Sequence, residues 1–267
     1  MNHKQNKLSN LFYPNSCIIV NYHYFSESVS GLFQCTKSGL DFQLSYLRKY
    51  YSVLPLKEVL AILELNKSLP PKSIVITVDD CDESFYRTGW PLLKQYKVPI
   101  HCSVITGSIG AYCDAIGRKV VSRQQLDELV SSGLVTLGSH SMTHSHLHEL
   151  TSKELIKEIV DSREVIKSIQ GNCEVFAYPY GGSFFINEHV ETLMDQAGYD
   201  YALTTTGGFI KRGTDRFRIG RMNLSGNLNH VKYNRLITAM IKLKKFIKRE
   251  KYYSKVSPRG VIGSGKQ

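Results

Sequence analysis

Two adjacent carboxylates, Asp79 and Asp80, close the apolar run "SIVITVDD" (73–80). Along a strand successive side chains point to opposite faces, but where the chain turns at the strand's end both can reach one site. One carboxylate can then bind a metal while the other stays free to take a proton. The competing reading is that one of them caps the next helix, a favoured place for Asp. Farther on, "GSHSMTHSHLHEL" (138–150) carries His140 and His144 four residues apart. A helical turn would put the two imidazoles on one side, where they suit a shared cation. His146 and His148 follow, so a surface histidine cluster without metal is the alternative. Joined by a carboxylate, the pair makes a three-ligand set with positions open to water and substrate, as catalytic rather than structural metal sites have. In "VFAYPYGG" (175–182), Pro179 and Gly181 allow a tight turn that can offer a backbone N–H to a developing oxyanion. Most such turns only connect elements.

These residues need a scaffold that gathers strand ends. Short apolar runs alternate with helix-period segments along the chain, which argues for a parallel α/β architecture. Strands are expected at 17–23 ("CIIVNYH"), 73–80, 98–106, 134–140, and within "EVFAYPYGG", "YDYALTTTGG" and "RFRIGRMNL". Helices are expected at 41–50, 56–65, through 91–97, from Ser122, and near 187–197. Another starts at the capping box Thr151-x-x-Glu154, carries Leu155, Ile159, Ile166 and Ile169 at helical spacing, and stops at Gly171. A polar loop precedes Ser122. In such sheets and barrels chemistry gathers at the C-terminal strand ends. His23, Asp79, Asp80, His140, His144 and the 178–181 turn all fall there.

The chain has 267 residues, 42% of them hydrophobic, and a formal charge of +11. Much of the excess sits in 235–259, with nine Lys or Arg against Glu250. No nucleic-acid-binding motif accompanies the charge, so none is expected as partner. The six cysteines show no C-x-x-C spacing and read as free thiols of a reducing compartment. The N-terminal segment lacks an apolar h-region, and no stretch of about 18 apolar residues occurs. A cytoplasmic protein is expected. In the tail, Leu236, Met240, Leu243 and Ile247 recur at three and four residues among lysines, and two readings stand: peripheral contact with the inner membrane face, or a helix packed on the barrel with a solvated basic side.

The motifs, in this order, resemble the polysaccharide deacetylase family, the NodB-homology (carbohydrate esterase family 4-like) enzymes. "ITVDDC" looks like that family's T-F-D-D-G, "HSMTH" like its H-S/T-x-x-H and "FAYPYG" like its R-x-P-Y-G. The likeness covers roughly 17–224, and three ordered motifs on the expected elements are far more specific than one. It implies a distorted (β/α)7 barrel, a divalent metal, usually Zn2+, and hydrolysis of an N-acetyl group from an amino sugar. By position, Asp79 would be the general base, Asp80, His140 and His144 the metal ligands, and the Tyr180 N–H an oxyanion donor.

Three departures stand out. Cys81 replaces the Gly after the paired aspartates, removing a permissive residue and adding a thiol that could strain the loop or serve as an alternative ligand. Ala177 replaces the Arg of the third motif, so Asp79 must be oriented from elsewhere; Arg221 is the candidate, with a surface ion pair as its alternative role. The late Leu-x-His that usually supplies the general acid has its only match at Leu228–His230, in a polar context. His23 is preferred, because "NYH" looks like the N-terminal tyrosine-histidine of the circularly permuted branch, which includes poly-N-acetylglucosamine deacetylases. The expected organisation is an extension (1–16), a catalytic barrel (17–230) and a basic tail (231–267). The expected activity is metal-dependent removal of an N-acyl group from a glycan or glycoconjugate precursor; the alternative is a non-catalytic glycan-binding protein on the same fold. The sequence leaves the oligomeric state open.

Overall fold

The computed structural model describes residues 15–28 and 33–224. Its centre is a series of neighbouring parallel strands: β1 (Ser16–Tyr22), β2 (Ser73–Val78), β3 (Ile100–Val104), β4 (Val135–Ser139), β5 (Val175–Ala177), β6 (Tyr201–Thr204) and β7 (Ile219–Gly220). One residue beyond β7, strand β8 (Met222–Asn223) pairs in parallel with β1. β7 and β8 are thus halves of one segment, bonded to β6 on one side and to β1 on the other, and Arg221 sits at their junction. That segment brings the sheet round into a nearly closed barrel, the expected seven-strand α/β arrangement.

Strand β2 is buried at every position. Parallel strands covered on both faces need such unbroken apolar runs. One cluster joins Cys17, Ile19, Val75, Val175, Leu203 and Ile219 of the barrel to Leu56, Val59, Leu60 and Leu63 of helix α2, which is preceded by α1 (Lys37–Tyr50) and spans Leu56–Glu64. Each side chain of this size, fully buried, contributes roughly 1.5–3 kcal/mol. The glycine in β4 is also a packing choice: a Cβ on Gly138 would meet His101 Nε2 at 2.5 Å and the Val175 carbonyl at 2.7 Å.

Helix starts follow the local code. After α3 (Trp90–Gln95), α4 (Arg123–Ser131) opens on a reciprocal box between Ser122 and Gln125, and α5 (Ser152–Ile156) on one between Thr151 and Glu154. A π turn (Lys157–Asp161) joins α5 to α6 (Ser162–Gln170), which Gly171 ends at φ 88°. Helix α7 (Glu188–Gln196) takes its cap from Asn187.

Several expectations need correction. The first helix starts at Lys37 rather than 41, because Thr36 accepts a capping bond from the Gly39 N–H. The supposed polar loop before Ser122 holds an antiparallel pair, Tyr112–Cys113 with Arg118–Lys119. Phe209–Lys211 forms an antiparallel edge on β1, and Tyr24–Ser26 pairs with Gln34–Thr36. These strands are two or three residues long, too short for an alternation pattern to register. All six cysteines are free and buried. Among the described residues no helix is long and apolar enough to cross a membrane. His230, most of the N-terminal extension and the basic tail lie outside the described residues.

Candidate active site

The C-terminal strand ends surround a cavity of about 440 Å3 whose lining includes His23, Asp79, Asp80, His140, His144 and Tyr180. Six of the seven residues singled out from the sequence therefore share one cavity, and the seventh, Arg221, lies directly behind it. The capping alternative for the aspartates is resolved by a third one. Asp82 Oδ1 accepts from the Ser84 and Phe85 N–H groups at 2.9 and 3.1 Å and from the Ser84 hydroxyl, leaving Asp79 and Asp80 free of that task.

Arg221 is fully buried and forks onto Asp79: Nη1 donates to Oδ1 at 2.6 Å and Nη2 to Oδ2 at 2.7 Å. Two further donors are used as well, Nε on the Thr204 carbonyl and Nη1 also on Asn21 Oδ1. Asn21 Nδ2 adds a bond to Asp79 Oδ2 at 2.9 Å. Burial pushes the Asp79 carboxyl up, but the Arg221 guanidinium, aided by the nearby histidines, overcomes it and holds the group far below the usual carboxylate range. Asp79 is a fixed anion.

Asp80 has the opposite character. Burial first, then the neighbouring Asp79 charge, pushes it up to about 7. Its Oδ1 is buried and takes no hydrogen bond, yet it stands 3.6 Å from His140 Nε2 and 3.7 Å from His144 Nε2. Those distances are long for hydrogen bonds and suit a shared cation, since two ligands of a tetrahedral Zn2+, each about 2.1 Å from it, lie about 3.4 Å apart. The tautomer also fits. His140 Nδ1 donates to the Ala177 carbonyl at 2.8 Å, which leaves the Nε2 lone pair facing Asp80. Burial lowers both histidines, His144 to about 3, so both are neutral and able to ligate near pH 7. The three residues fit a divalent metal.

No helical turn brings His140 and His144 together, contrary to the sequence-based reasoning. Ser141 and His144 adopt φ of 65° and 63°, and Glu158, supplied by the π turn, holds the loop between them. Its carboxylate accepts from the Met142 and Thr143 N–H groups, both at 2.9 Å, and from the Thr143 hydroxyl at 2.6 Å. Asp80, Cys81 and Tyr180 are left-handed too, at 66°, 54° and 62°. Five strained non-glycine residues thus sit on the three motif loops, at a cost of order 1 kcal/mol or more each. Cys81 strains its loop as expected, but its free thiol shares a hydrogen bond with the Cys102 thiol and is not among the Asp80, His140, His144 ligand set. Gly181 leaves no such choice: at φ 64° a Cβ would lie 2.5 Å from Thr205 Cγ2. The Tyr180 N–H has no backbone acceptor among the described residues, and the Tyr180 ring meets His144 edge-on at 4.8 Å.

His23 packs against Phe33, and its Nδ1 is shielded without a hydrogen-bond partner. Burial pushes it down to about 4, against the pull of Asp79. Arg118 was not singled out from the sequence. It reaches the cavity from the 112–119 hairpin, stacks on Tyr24 at 4.0 Å and pairs with Asp82 at 2.6 Å. No spacing signal could have found it; Asn21, a lone amide in an apolar strand, did carry one.

A parallel barrel with a fixed carboxylate beside an Asp, His, His ligand set defines a metal-dependent hydrolase of the deacetylase type. The family model for polysaccharide deacetylase matches residues 66–202, just over half of the chain. The protein belongs to that family, which is metal-dependent. Its relatives include the poly-beta-1,6-N-acetyl-D-glucosamine N-deacetylases of Staphylococcus epidermidis, 28% identical over 240 residues and 80% of each chain, and of Staphylococcus aureus, 26% identical over 238 residues and 79% of each chain. Among solved structures, the fold resembles the Streptococcus pyogenes deacetylase PplD, with a TM-score of 0.72, 22% identity and coverage of 84% of this chain and 98% of the other. It also resembles IcaB from Ammonifex degensii, with a TM-score of 0.69, 24% identity and coverage of 85% and 97%.

Proposed function

We propose that this protein hydrolyses the N-acetyl amide of N-acetylglucosamine units in a β-1,6-linked glycan, with Zn2+ held by Asp80, His140 and His144. The observation that carries the reading is the convergence of Asp80 Oδ1 and the two Nε2 atoms beside an Asp79 fixed by Arg221. The substrate class rests on the staphylococcal relatives, matched over about four-fifths of each chain.

A divalent ion at these ligands supplies Lewis-acid polarisation of a carbonyl and a water made acidic near neutral pH. The protein's own groups do the rest. Asp79, ionised and held in one orientation, accepts the proton of the attacking water. Burial keeps the nearby His23 imidazole neutral near pH 7, so it too can take up a proton. His23 lines the same cavity as Asp79 and is assigned the delivery of a proton to the departing amine. The Tyr180 N–H, without a backbone acceptor among the described residues, is assigned as the donor to the oxyanion. Arg221 occupies the charge-holding role left vacant by Ala177, and nothing in the comparisons favours a non-catalytic glycan binder.

Acetate release from β-1,6-linked N-acetylglucosamine oligomers by the zinc-loaded protein tests this. Turnover should disappear with chelator, return with Zn2+ and be lost in Asp79→Asn. No acetate from any N-acetylglucosamine oligomer, with metal bound, would overturn it. Residence in the cytoplasm at the inner membrane face belongs to the same proposal, supported by the basic tail, and cell fractionation tests it.

A further inference from the structure

We propose that His146, His148 and Glu149 form a second divalent-metal site, independent of the first and of the class that takes Zn2+ or a similar borderline-soft ion. Each offers a ligand atom, and these atoms lie within 4.8 Å of one another. His148 Nε2 stands 3.6 Å from Glu149 Oε1, matching the 3.6 Å between His140 Nε2 and Asp80 Oδ1. Two imidazoles and a carboxylate are a ligand set for such an ion.

The ligands are held in place before any ion arrives. Buried Leu147 anchors the short turn Leu147–Glu149 that carries two of them, and the Glu149 N–H donates to the His146 carbonyl at 3.0 Å. The His146 ring lies flat on Tyr180, centroids 3.9 Å apart and planes 4° from parallel. His148 is wedged against the edges of Phe184 and Phe185 at 5.3 and 5.4 Å. Locked rings lose little freedom on binding. With Nε2 of His148 turned to Glu149, its Nδ1 has no protein partner, and neither has Nδ1 of His146, so no protein hydrogen bond ties up the second nitrogen of either ring. The site shares no residue with the first and, with Glu149 exposed and the histidines half-buried, opens to solvent. Its ion exchanges more readily than one held by the buried set.

Because His146 stacks on Tyr180, an ion here also restrains the ring of the residue whose N–H is assigned to the oxyanion; this last point alone rests on the proposed activity. Equilibrium dialysis of the full chain against Zn2+, with elemental analysis, tests the site. The double variant His146→Ala/His148→Ala should bind one equivalent fewer than the parent, and Asp80→Ala/His140→Ala should also bind one fewer while keeping the second site. Exposed Glu149→Gln, which leaves the packed rings intact, should weaken the affected equivalent about tenfold or more with an unchanged circular-dichroism melting curve. If the His146/His148 and Glu149 variants bind zinc with the parent's stoichiometry and affinity, the second site does not exist. If the Asp80/His140 variant keeps every equivalent, it is the catalytic reading that fails.

Discussion

Arg221 meets Asp79 across 142 positions of sequence through two parallel hydrogen bonds of 2.6 and 2.7 Å, with the guanidinium fully buried and the carboxylate nearly so. A buried fork of this kind is worth most to the orientation it imposes, because desolvation offsets much of its attraction.

Arg221→Lys keeps the charge but cannot make both bonds. We expect kcat to fall about 100-fold with zinc content unchanged, since a misplaced base costs about that much. Arg221→Ala leaves the Asp79 carboxylate buried and unpaired, and urea denaturation should show a loss of about 3–5 kcal/mol. Equal zinc content and full turnover in both variants would show that the guanidinium does not position the base.

Stability should fall on the acid side. Burial pushes His23 down to about 4, His101 and His144 to about 3, and lowers His140. Each folded-state pKa lies below its unfolded value near 6.5, so between the two the unfolded chain holds a proton that the folded one lacks. The contribution of each neutral histidine is complete above about pH 6.5 and lost as pH falls, by roughly 1.4 kcal/mol per unit. Asp80, raised to about 7, acts in the other direction over about pH 4–7. In metal-free protein four groups oppose one, and the depressed Asp79 adds a further loss below about pH 4. Urea midpoints should decline from pH 7 to 4.5; a midpoint that climbs over this range contradicts the assignment.

Metal uptake should be coupled to one proton. In the metal-free site burial lowers both histidines, His144 to about 3, and so favours their neutral forms, whereas Asp80, at about 7, still carries its proton at pH 6. Zinc titrations in buffers of different ionisation enthalpy should therefore report release of about one proton at pH 6 and close to none at pH 8.5. Release of two or more at pH 6 would mean that the histidines bind metal from the charged form.

Glu158 touches no ligand, yet it fixes the loop that carries His144 through three hydrogen bonds. Glu158→Gln retains an acceptor but substitutes donors for one carboxylate oxygen. Zinc affinity should drop about 10–100-fold, with kcat of the zinc-saturated enzyme much less affected. A fall in kcat alone, at unchanged affinity, would place Glu158 in some other role.

Much of the scaffold was legible because its signals are local. The uninterrupted apolar run before Asp79 marks a strand covered on both faces, and the Ser122 and Thr151 boxes mark helix starts that the structure reproduces. The proximity of His140 and His144 was legible from their spacing, but the reason was not. Left-handed Ser141 follows no propensity of its residue type and His144 only a slight one, and the Glu158 anchor depends on a π turn that no periodicity announces. Arg221 could be nominated only because Ala177 left a role unfilled, and Arg118 reaches the cavity on a hairpin whose strands are two residues each.

The residue that orients Asp79 also sits at the joint where the last strand closes the barrel onto the first. Order of synthesis then matters. A nascent chain emerging from the ribosome has both aspartates and both histidines well before Arg221, so all three proposed ligands are made while Asp79 still lacks its guanidinium partner. The Asp79–Arg221 pair can form only with the final turn of the sheet, after every proposed ligand has been made.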